Sequence, residues 1–290
     1  MIVFKTYESM KKHTSFKSGG EAKFYFEPKS LDEFIDAIKL CKKEKRKYFI
    51  LGNGSNVLCL DKGYNGVVIC TKNLQNYQLF MYENEAKIVC EAGVLLTKLN
   101  KFMAELGLSG MEWSYGIPAT VGGATYMNAG AFKGEMFQSI EFVEVYHRGK
   151  IKRLEKNQIN FSYRNGGLKG KEILKVGLKL SFIAPSQVEA LQMKYLSKRI
   201  ATQPLEKPSA GSVFKRKDDI FPAQIIDKLG LKGVIIGKAQ ISPKHAGFIV
   251  NLGNASTSDY LKLVELIENK VFVSTGIKFE REVIVMEDGC

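Results

Sequence analysis

Gly52-Asn53-Gly54-Ser55-Asn56, set between the apolar run Tyr48-Phe49-Ile50-Leu51 and a second run from Val57, is the stretch of this chain with the clearest chemical potential. Small residues and amides at a strand end leave several backbone N–H groups free at once, which makes a concave cradle for an anion such as a pyrophosphate. A nucleotide-type cofactor is the ligand this suggests; an ordinary glycine-rich turn is the competing reading. The pattern is not a Rossmann fingerprint. Its sixth position is Val57 rather than glycine, no helical pattern starts at once, and no ribose-binding acid follows about 20 residues on. A second glycine-rich stretch, 116–131, is uncharged. A surface loop is normally more polar, so this run is expected to lie against something flat or against another backbone, where side chains must stay small. A planar cofactor ring fits that description, and so does tight packing between two modules.

Other chemistries find less support. The five cysteines, Cys41, Cys59, Cys70, Cys90 and Cys290, are odd in number and lack any C-x-x-C pairing. They read as reduced core residues, and no metal site is expected. No stretch reaches the roughly 20 apolar residues of a bilayer span, and the opening Met1-Ile2-Val3-Phe4-Lys5 has no signal-peptide core, so a cytoplasmic protein with no membrane partner is expected. The 43 Lys and Arg against 30 Asp and Glu give a net charge of +13, which favours anionic partners. These cations are scattered, the densest run being Lys42-Lys43-Glu44-Lys45-Arg46-Lys47, with no recognition-helix or RNP-like signature beside them. Nucleic acid is therefore not the expected partner; a small substrate and cofactor carrying several phosphates would use the same field.

The elements that must hold these groups follow from periodicity. Ser30 with Asp32 and Glu33 opens a capped amphipathic helix at about 31–45, with Leu31, Phe34, Ile35, Ile38 and Cys41 on one side. Strands are expected at 48–51, 57–60 and 67–70, the last two flanking the turn-forming Asp61-Lys62-Gly63-Tyr64-Asn65-Gly66. A strand at 87–91 precedes a helix carrying Leu95, Leu99, Phe102 and Leu106 and stopping at Gly107. Strands near 140–147 and 173–182 and a helix near 185–200 follow, then a Pro- and Gly-marked loop at 203–211. The rest reads as a compact α+β module: a short helix ending at Gly230, strands near 234–241 and 247–251, a long helix with Tyr260, Leu263, Val264, Ile267 and Val271 on one face, and a final strand at 279–286.

The ordered set Thr14-Ser15-Phe16-Lys17-Ser18-Gly19-Gly20, Leu51 to Asn56, Gly116-Ile117-Pro118 to Val121-Gly122-Gly123, Met127-Asn128-Ala129-Gly130-Ala131, Tyr163-Arg164-Asn165, Pro208 to Lys215 and Lys244 to Asn251 resembles the UDP-N-acetylenolpyruvoylglucosamine reductase family over nearly the whole chain. The resemblance implies an α+β fold, with a two-part FAD-binding PCMH-type α/β region of the kind shared with vanillyl-alcohol oxidases followed by a smaller α+β substrate-binding domain. The expected divisions are 1–70 and 71–202 for the two FAD-binding parts and 203–290 for the substrate domain, with the final strand near 279–290 able to return to the first part. It also implies that FAD, reduced by NADPH, serves the reduction of UDP-N-acetylglucosamine enolpyruvate to UDP-N-acetylmuramate in peptidoglycan precursor synthesis. No His or Cys sits in the motifs where relatives of this fold attach flavin covalently, so FAD is expected to be held without a covalent bond, in a monomer.

Residue by residue, the resemblance gives Leu51, Gly52, Asn53, Gly54, Ser55 and Asn56 to the FAD pyrophosphate and Gly116, Ile117, Pro118, Val121, Gly122 and Gly123 to the flavin and its phosphates. Ser212 matches the family's proton donor, Arg164 the arginine on the substrate carboxylate, and Glu282 the third catalytic residue. A neutral Glu282 would donate to an enol-like intermediate; an ionised one would orient Arg164 or water. Glu280, two residues earlier on the same strand face, is the acid most readily mistaken for it. Tyr163 and Lys215 are expected substrate contacts, Lys215 through a diphosphate. His245 is expected to stabilise its own turn rather than move protons. The chain departs from the family where Gly166-Gly167-Leu168-Lys169 replaces the usual serine and bulky residue before the lysine, so a looser loop beside Arg164 is expected. It departs again at Lys217, where a proline is common, within the charged segment 215–219. Its short length suits the family's shorter form.

Overall fold

Apolar patterning accounts for most of the elements in the structure, a computed structural model that describes residues 2–217 and 219–287. Asp218, in the charged segment after Lys215, and Cys290 lie outside the described residues. Two compact units divide the chain, one drawn from Met1–Val3, Phe26–Asn53 and Ile69–Arg199, the other from Phe4–Tyr25, Gly54–Val68 and Ile200–Cys290.

The first unit is built on an antiparallel sheet in the order Lys150–Glu155, Ile140–His147, Glu172–Phe182, Ala86–Glu91, Tyr77–Met81. Val143, Val176 and Cys90 stand opposite one another across its three central strands, and all three are fully buried. Such cross-strand apolar rows are the unit of sheet stabilisation. Helix Leu96–Glu105 buries Leu96, Leu99 and Met103 into the same core as Trp113, Val121 and Phe137, and Gly107, at φ +67°, ends it in the left-handed conformation. At the start of helix Leu31–Lys43 the Ser30 hydroxyl accepts from the Glu33 N–H. The Glu33 carboxylate reaches one residue past the cap, to the Lys29 N–H at 2.7 Å, so the box closes a residue further out than the usual pattern. Helix Pro185–Thr202 turns a polar stripe inward, Gln192 donating to the Asn100 carbonyl and Arg199 to that of Trp113.

In the second unit a four-stranded antiparallel sheet, Ser209–Ser212, Phe248–Asn251, Ala239–Ile241, Ile235–Ile236, carries helix Thr257–Thr275. A Ser256/Asp259 capping box starts that helix and Gly276, at φ +71°, stops it. Phe16 and Leu58, far away in sequence, are fully buried in this C-terminal core beside Tyr260 and Ile249. The strand Ile284–Met286 pairs in parallel with Val57–Cys59, and Lys5–Ser9 forms a hairpin with Glu21–Phe26.

Several elements differ from the expected ones. The region 234–241 is a tight hairpin of two short strands, because Gly237 at φ +56° reverses the chain. The loop 203–211 ends in strand rather than coil, and the expected strand 279–286 shortens to Ile284–Met286 preceded by a single bridge from Arg281 to Phe214. Lys5–Ser9, Tyr77–Met81 and Lys150–Glu155 were not expected as strands. They are mostly exposed, so no buried face imposed an alternation on them.

Candidate active site

Within the first unit the two glycine-rich stretches meet. A Cβ on Gly52 would stand 2.5 Å from the Thr120 hydroxyl, and Asn53 Nδ2 donates to the Pro118 carbonyl at 2.9 Å. Thr120, fully buried, caps the short helix Val121–Tyr126 by accepting from the Gly123 N–H. That helix lies where only a glycine-rich loop was expected, and Gly122 permits it: a Cβ there would fall 2.6 Å from the Ala92 side chain. The N–H groups of Val121 and Gly122 are committed to the carbonyls of Val94 and Ala92. The backbone N–H groups of Asn53, Gly54, Ser55 and Asn56, by contrast, donate to no acceptor among the described residues. This donor set and its glycine-only clearances fit the phosphate groups of a dinucleotide. Beside that turn Ile117 is half-buried and Pro118 exposed, two apolar side chains of the kind that can lie against a ring system.

The same unit positions Arg164. Ser162 and Asn165 exchange backbone hydrogen bonds of 2.8 and 3.0 Å, closing a turn in which Arg164 takes φ +54°. A non-glycine residue in that region costs about 1–2 kcal/mol and persists only where its surroundings over-determine it. They do so here. The guanidinium donates to the Gly130 carbonyl at 2.8 Å and lies 4.8 Å from the centre of the Tyr163 ring. Buried Asn128 donates to the Ser162 carbonyl and accepts from the Phe137 N–H, tying the turn to the segment that supplies Gly130. The motif containing Asn128 was visible in the sequence, but its task was not. The Gly166-Gly167 pair does not loosen this turn. Gly166 N–H bonds the Tyr126 carbonyl at 2.9 Å and Gly167 N–H the Asn165 side chain, while a Cβ on either would lie within 2.3 Å of a carbonyl oxygen. The expectation of a loose loop is corrected: glycine is needed because backbone approaches backbone.

Within the second unit the rest of the Gly52–Asn56 turn meets the candidate catalytic strands. Gly211, at φ +75°, forms a bulge in Ser209–Ser212 just before Ser212, a feature that re-aims side chains. The next residues pair with the end of the chain: Glu282 N–H donates to the Val213 carbonyl and Lys215 N–H to that of Glu280. Asn56 spans from the turn to this pair, its Nδ2 donating to the Glu282 carbonyl at 3.0 Å and its carbonyl accepting from Ile284. Ser212 and Glu282 are both half-buried. Lys215 Nζ, mostly buried, makes a 2.6 Å ion pair with Glu280, which is 73% exposed. Glu280 and Glu282 therefore separate by environment, one a solvent-facing counter-ion and the other half-buried with its main chain bonded to Val213 and Asn56. His245 Nδ1 accepts from the Gly247 N–H at 3.1 Å, and burial holds its pKa below the usual histidine range, so it stays a neutral acceptor stabilising its own turn.

Cys41, Cys59, Cys70 and Cys90 are buried cysteines outside any disulfide, and burial pushes the Cys41 thiol up to about 11. Among the described residues no cluster of three or more His, Cys, Asp or Glu could hold a metal ion, and no helix is long and apolar enough to cross a membrane.

Residues 22–155 match a family model described as an FAD binding domain, and residues 203–286 match the C-terminal domain of UDP-N-acetylenolpyruvoylglucosamine reductase. The chain is 43% identical over 280 residues to the UDP-N-acetylenolpyruvoylglucosamine reductase of Thermosipho melanesiensis, covering 95% of this chain and 93% of that protein. It is 42% identical over 279 residues to the reductase of the same name from Pseudothermotoga lettingae, covering 95% of each chain. The crystal structure of UDP-N-acetylenolpyruvylglucosamine reductase from Thermus caldophilus superposes with a TM-score of 0.85 at 34% identity, covering 99% of this chain and 100% of that one.

Proposed function

Because the chain belongs to the UDP-N-acetylenolpyruvoylglucosamine reductase family, we propose that Ser212, Arg164 and Glu282 carry out its reaction. The chain is an FAD-dependent oxidoreductase that uses NADPH to reduce UDP-N-acetylglucosamine enolpyruvate to UDP-N-acetylmuramate in peptidoglycan synthesis. Bound FAD supplies the hydride that adds to C3 of the enolpyruvyl group. The chain's own residues must then manage the charge and the proton. As the C3–H bond forms, the double-bond pair moves to C2 and into the adjoining carboxylate, and a proton must arrive at C2 to complete the saturated lactyl ether.

Arg164 is assigned to the substrate carboxylate. Its guanidinium already spends one N–H on the Gly130 carbonyl, which fixes its plane, and a guanidinium presents five donors in a rigid fork. Ser212 is assigned as donor to C2. A serine hydroxyl is a weak acid, so it serves because the carbanion it meets is strongly basic and because the Gly211 bulge holds it in place. The alkoxide left behind is reprotonated from solvent. Glu282 is assigned as the third catalytic group, its main chain fixed by Val213 and Asn56. Lys215 and Tyr163 are assigned to substrate binding; Lys215 exchanges Glu280 for the diphosphate. Leu51 to Asn56 are assigned to the FAD pyrophosphate, and Gly116, Ile117, Pro118, Val121, Gly122 and Gly123 to the flavin side. In this reading 1–70 and 71–202 serve the cofactor and 203–290 the substrate, which the C-terminal family match over 203–286 supports. The protein is proposed to work as a monomer in the cytoplasm, and a dimer mass from light scattering would overturn the first of these.

One observation carries the assignment most: Asn56 of the cofactor turn is hydrogen-bonded to the backbone of Glu282, whose own N–H is bonded to the residue after Ser212. The test is anaerobic stopped-flow on Ser212→Ala with the two half-reactions followed separately. NADPH should bleach the flavin at the wild-type rate, while reoxidation by the enolpyruvyl substrate falls about 10²–10⁴-fold. Near-normal reoxidation would refute the assigned donor.

A further inference from the structure

Thr14 to Gly20 is a motif to which the reaction gives no task, yet its backbone touches the cofactor turn. Gly54 is buried at φ +65° with its Cα face pressed on residues 13 and 14; a Cβ there would stand 2.0 Å from the His13 carbonyl oxygen and 3.0 Å from Thr14 Cα. The next residue fastens it. Ser15 N–H donates to the Gly54 carbonyl at 3.0 Å, and Ser15 Oγ lies 2.6 Å from the Ser209 carbonyl and 3.2 Å from that of Gly54. A hydroxyl has one proton, so the shorter contact takes it, and Ser15 bonds the cofactor turn through its backbone and the start of the donor strand through its side chain. Ser209 opens the four-residue strand that bulges at Gly211 and ends on Ser212.

Ser15 can act as a fixed point because its own segment is held on both sides. His13 lies between Glu8 and Tyr25, with hydrogen bonds of 2.9 Å to each and its ring stacked on Tyr25. Phe16 is fully buried against the edge of the Tyr260 ring, and its carbonyl accepts from Asn251 at 2.8 Å. Ser18 is hydrogen-bonded to Thr257, at the first turn of the long C-terminal helix.

We infer that Ser15 is a positioning residue that couples the cofactor turn at Gly54 to the strand presenting Ser212. This rests on the assignment of Ser212 as proton donor and of the Gly52–Asn56 turn to FAD. A serine that only stabilised the fold would contribute to the melting temperature alone. One that sets the donor strand against the cofactor turn also governs FAD affinity and, more strongly, the half-reaction in which Ser212 acts.

The experiment compares wild type, Ser15→Ala, Ser15→Thr and Ser212→Ala as holoenzymes, measuring FAD dissociation by flavin fluorescence and each half-reaction by anaerobic stopped-flow. Ser15→Ala keeps the backbone bond to Gly54 and loses the side-chain bond to Ser209, so the turn is no longer tied to the strand, and we expect FAD to dissociate with a Kd up to about tenfold higher, the scale of one hydrogen bond. Reoxidation by the enolpyruvyl substrate slows about tenfold or more while flavin reduction by NADPH changes less than about twofold, since small misplacements act on the step that needs the aligned donor. Ser15→Thr, which keeps the hydroxyl, restores reoxidation; failure to do so counts against the inference. A lowered melting temperature with unchanged FAD affinity and unchanged half-reactions overturns it and leaves a purely structural serine. If Ser15→Ala does not accumulate folded, Ser15→Cys keeps a weak donor at the same place and must show the same ordering of effects. Normal reoxidation in Ser212→Ala sinks the underlying assignment; impaired Ser212→Ala beside normal Ser15→Ala sinks the coupling alone.

Discussion

Replacing Gly166 by alanine tests whether the turn beside Arg164 is tight by necessity. The added Cβ would stand 2.1 Å from the Thr125 carbonyl oxygen and 2.7 Å from that of Tyr126, where ordinary contact begins at 3.4 Å. Both obstacles are backbone at the end of helix Val121–Tyr126, so neither can swing aside as a flexible side chain does. Relief requires the turn to move away and to stretch the Gly166 N–H bond to Tyr126, now 2.9 Å. Overpacking of this kind costs about 1–3 kcal/mol, and the strained hydrogen bond adds about 1 kcal/mol. A loss of about 3 kcal/mol lowers the melting temperature by about 6–12 °C in a chain of this size. The same movement shifts Arg164, two residues away, off the Gly130 carbonyl, and a misplacement near 1 Å can reduce turnover on the order of 100-fold. Calorimetry reads the first effect, and kcat/KM for the enolpyruvyl substrate reads the second, with flavin reduction by NADPH as the internal reference. Gly170→Ala is the control: Gly170, unlike Gly166, has positive φ, +74°, but nothing lies within 4 Å of its Cβ position, so only the backbone penalty of about 1–2 kcal/mol applies and kinetics stay unchanged. Equal melting temperatures and equal kcat/KM for the two variants would refute the argument that packing, rather than conformation, demands glycine at 166.

Glu280→Gln removes the counter-ion of Lys215 while leaving the Lys215–Glu280 backbone bond intact. The pair is mostly solvent-facing on the Glu280 side, so stability should change by less than about 1 kcal/mol, while KM for the UDP-sugar falls about two- to fivefold as Lys215 no longer needs to leave a partner; an unchanged KM would deny Lys215 a role at the diphosphate. His245 has its pKa lowered first by burial, with Lys232 adding to the shift, so the unfolded chain binds the extra proton more readily than the folded one. Its stabilising contribution is therefore complete above the unfolded value of about 6.5 and is lost as pH falls from there through the lower folded value. His245→Asn, whose carbonyl oxygen can accept from Gly247 without titrating, should flatten the stability profile on the acid side of about pH 6.5 in chemical denaturation, and an unaltered slope would remove His245 as its source.

Much of this molecule was readable before any coordinate. Elements with clear burial announced themselves: helix Leu31–Lys43 with its stripe from Phe34 to Cys41 and helix Thr257–Thr275 with Tyr260 to Val271, each buried on one face, and the long central strand Glu172–Phe182, a mostly apolar run buried on both. Periodicity is a direct imprint of one-sided burial, so it fails where burial is absent, as in the exposed strands Lys5–Ser9 and Lys150–Glu155. The short helix Val121–Tyr126 was hidden for the opposite reason: its composition satisfies close packing against Ala92 rather than helix propensity, and glycine gives no periodic signal.

The glycine-rich turn, the reactive residue types and the order of the motifs were fixed by the chain itself, because small residues, a serine, an arginine and two acids keep their chemistry wherever the fold puts them. The tertiary structure alone decided which acid faces water and which is half-buried, that Asn56 grips the backbone of Glu282, that Asn128 secures the turn of Arg164, and that the glycine pair after Arg164 tightens rather than loosens. Apart from the Lys215–Glu280 ion pair, these are contacts to backbone atoms far away in sequence. Every residue offers the same N–H and carbonyl groups, so which one a side chain meets is written only in the folded path of the chain.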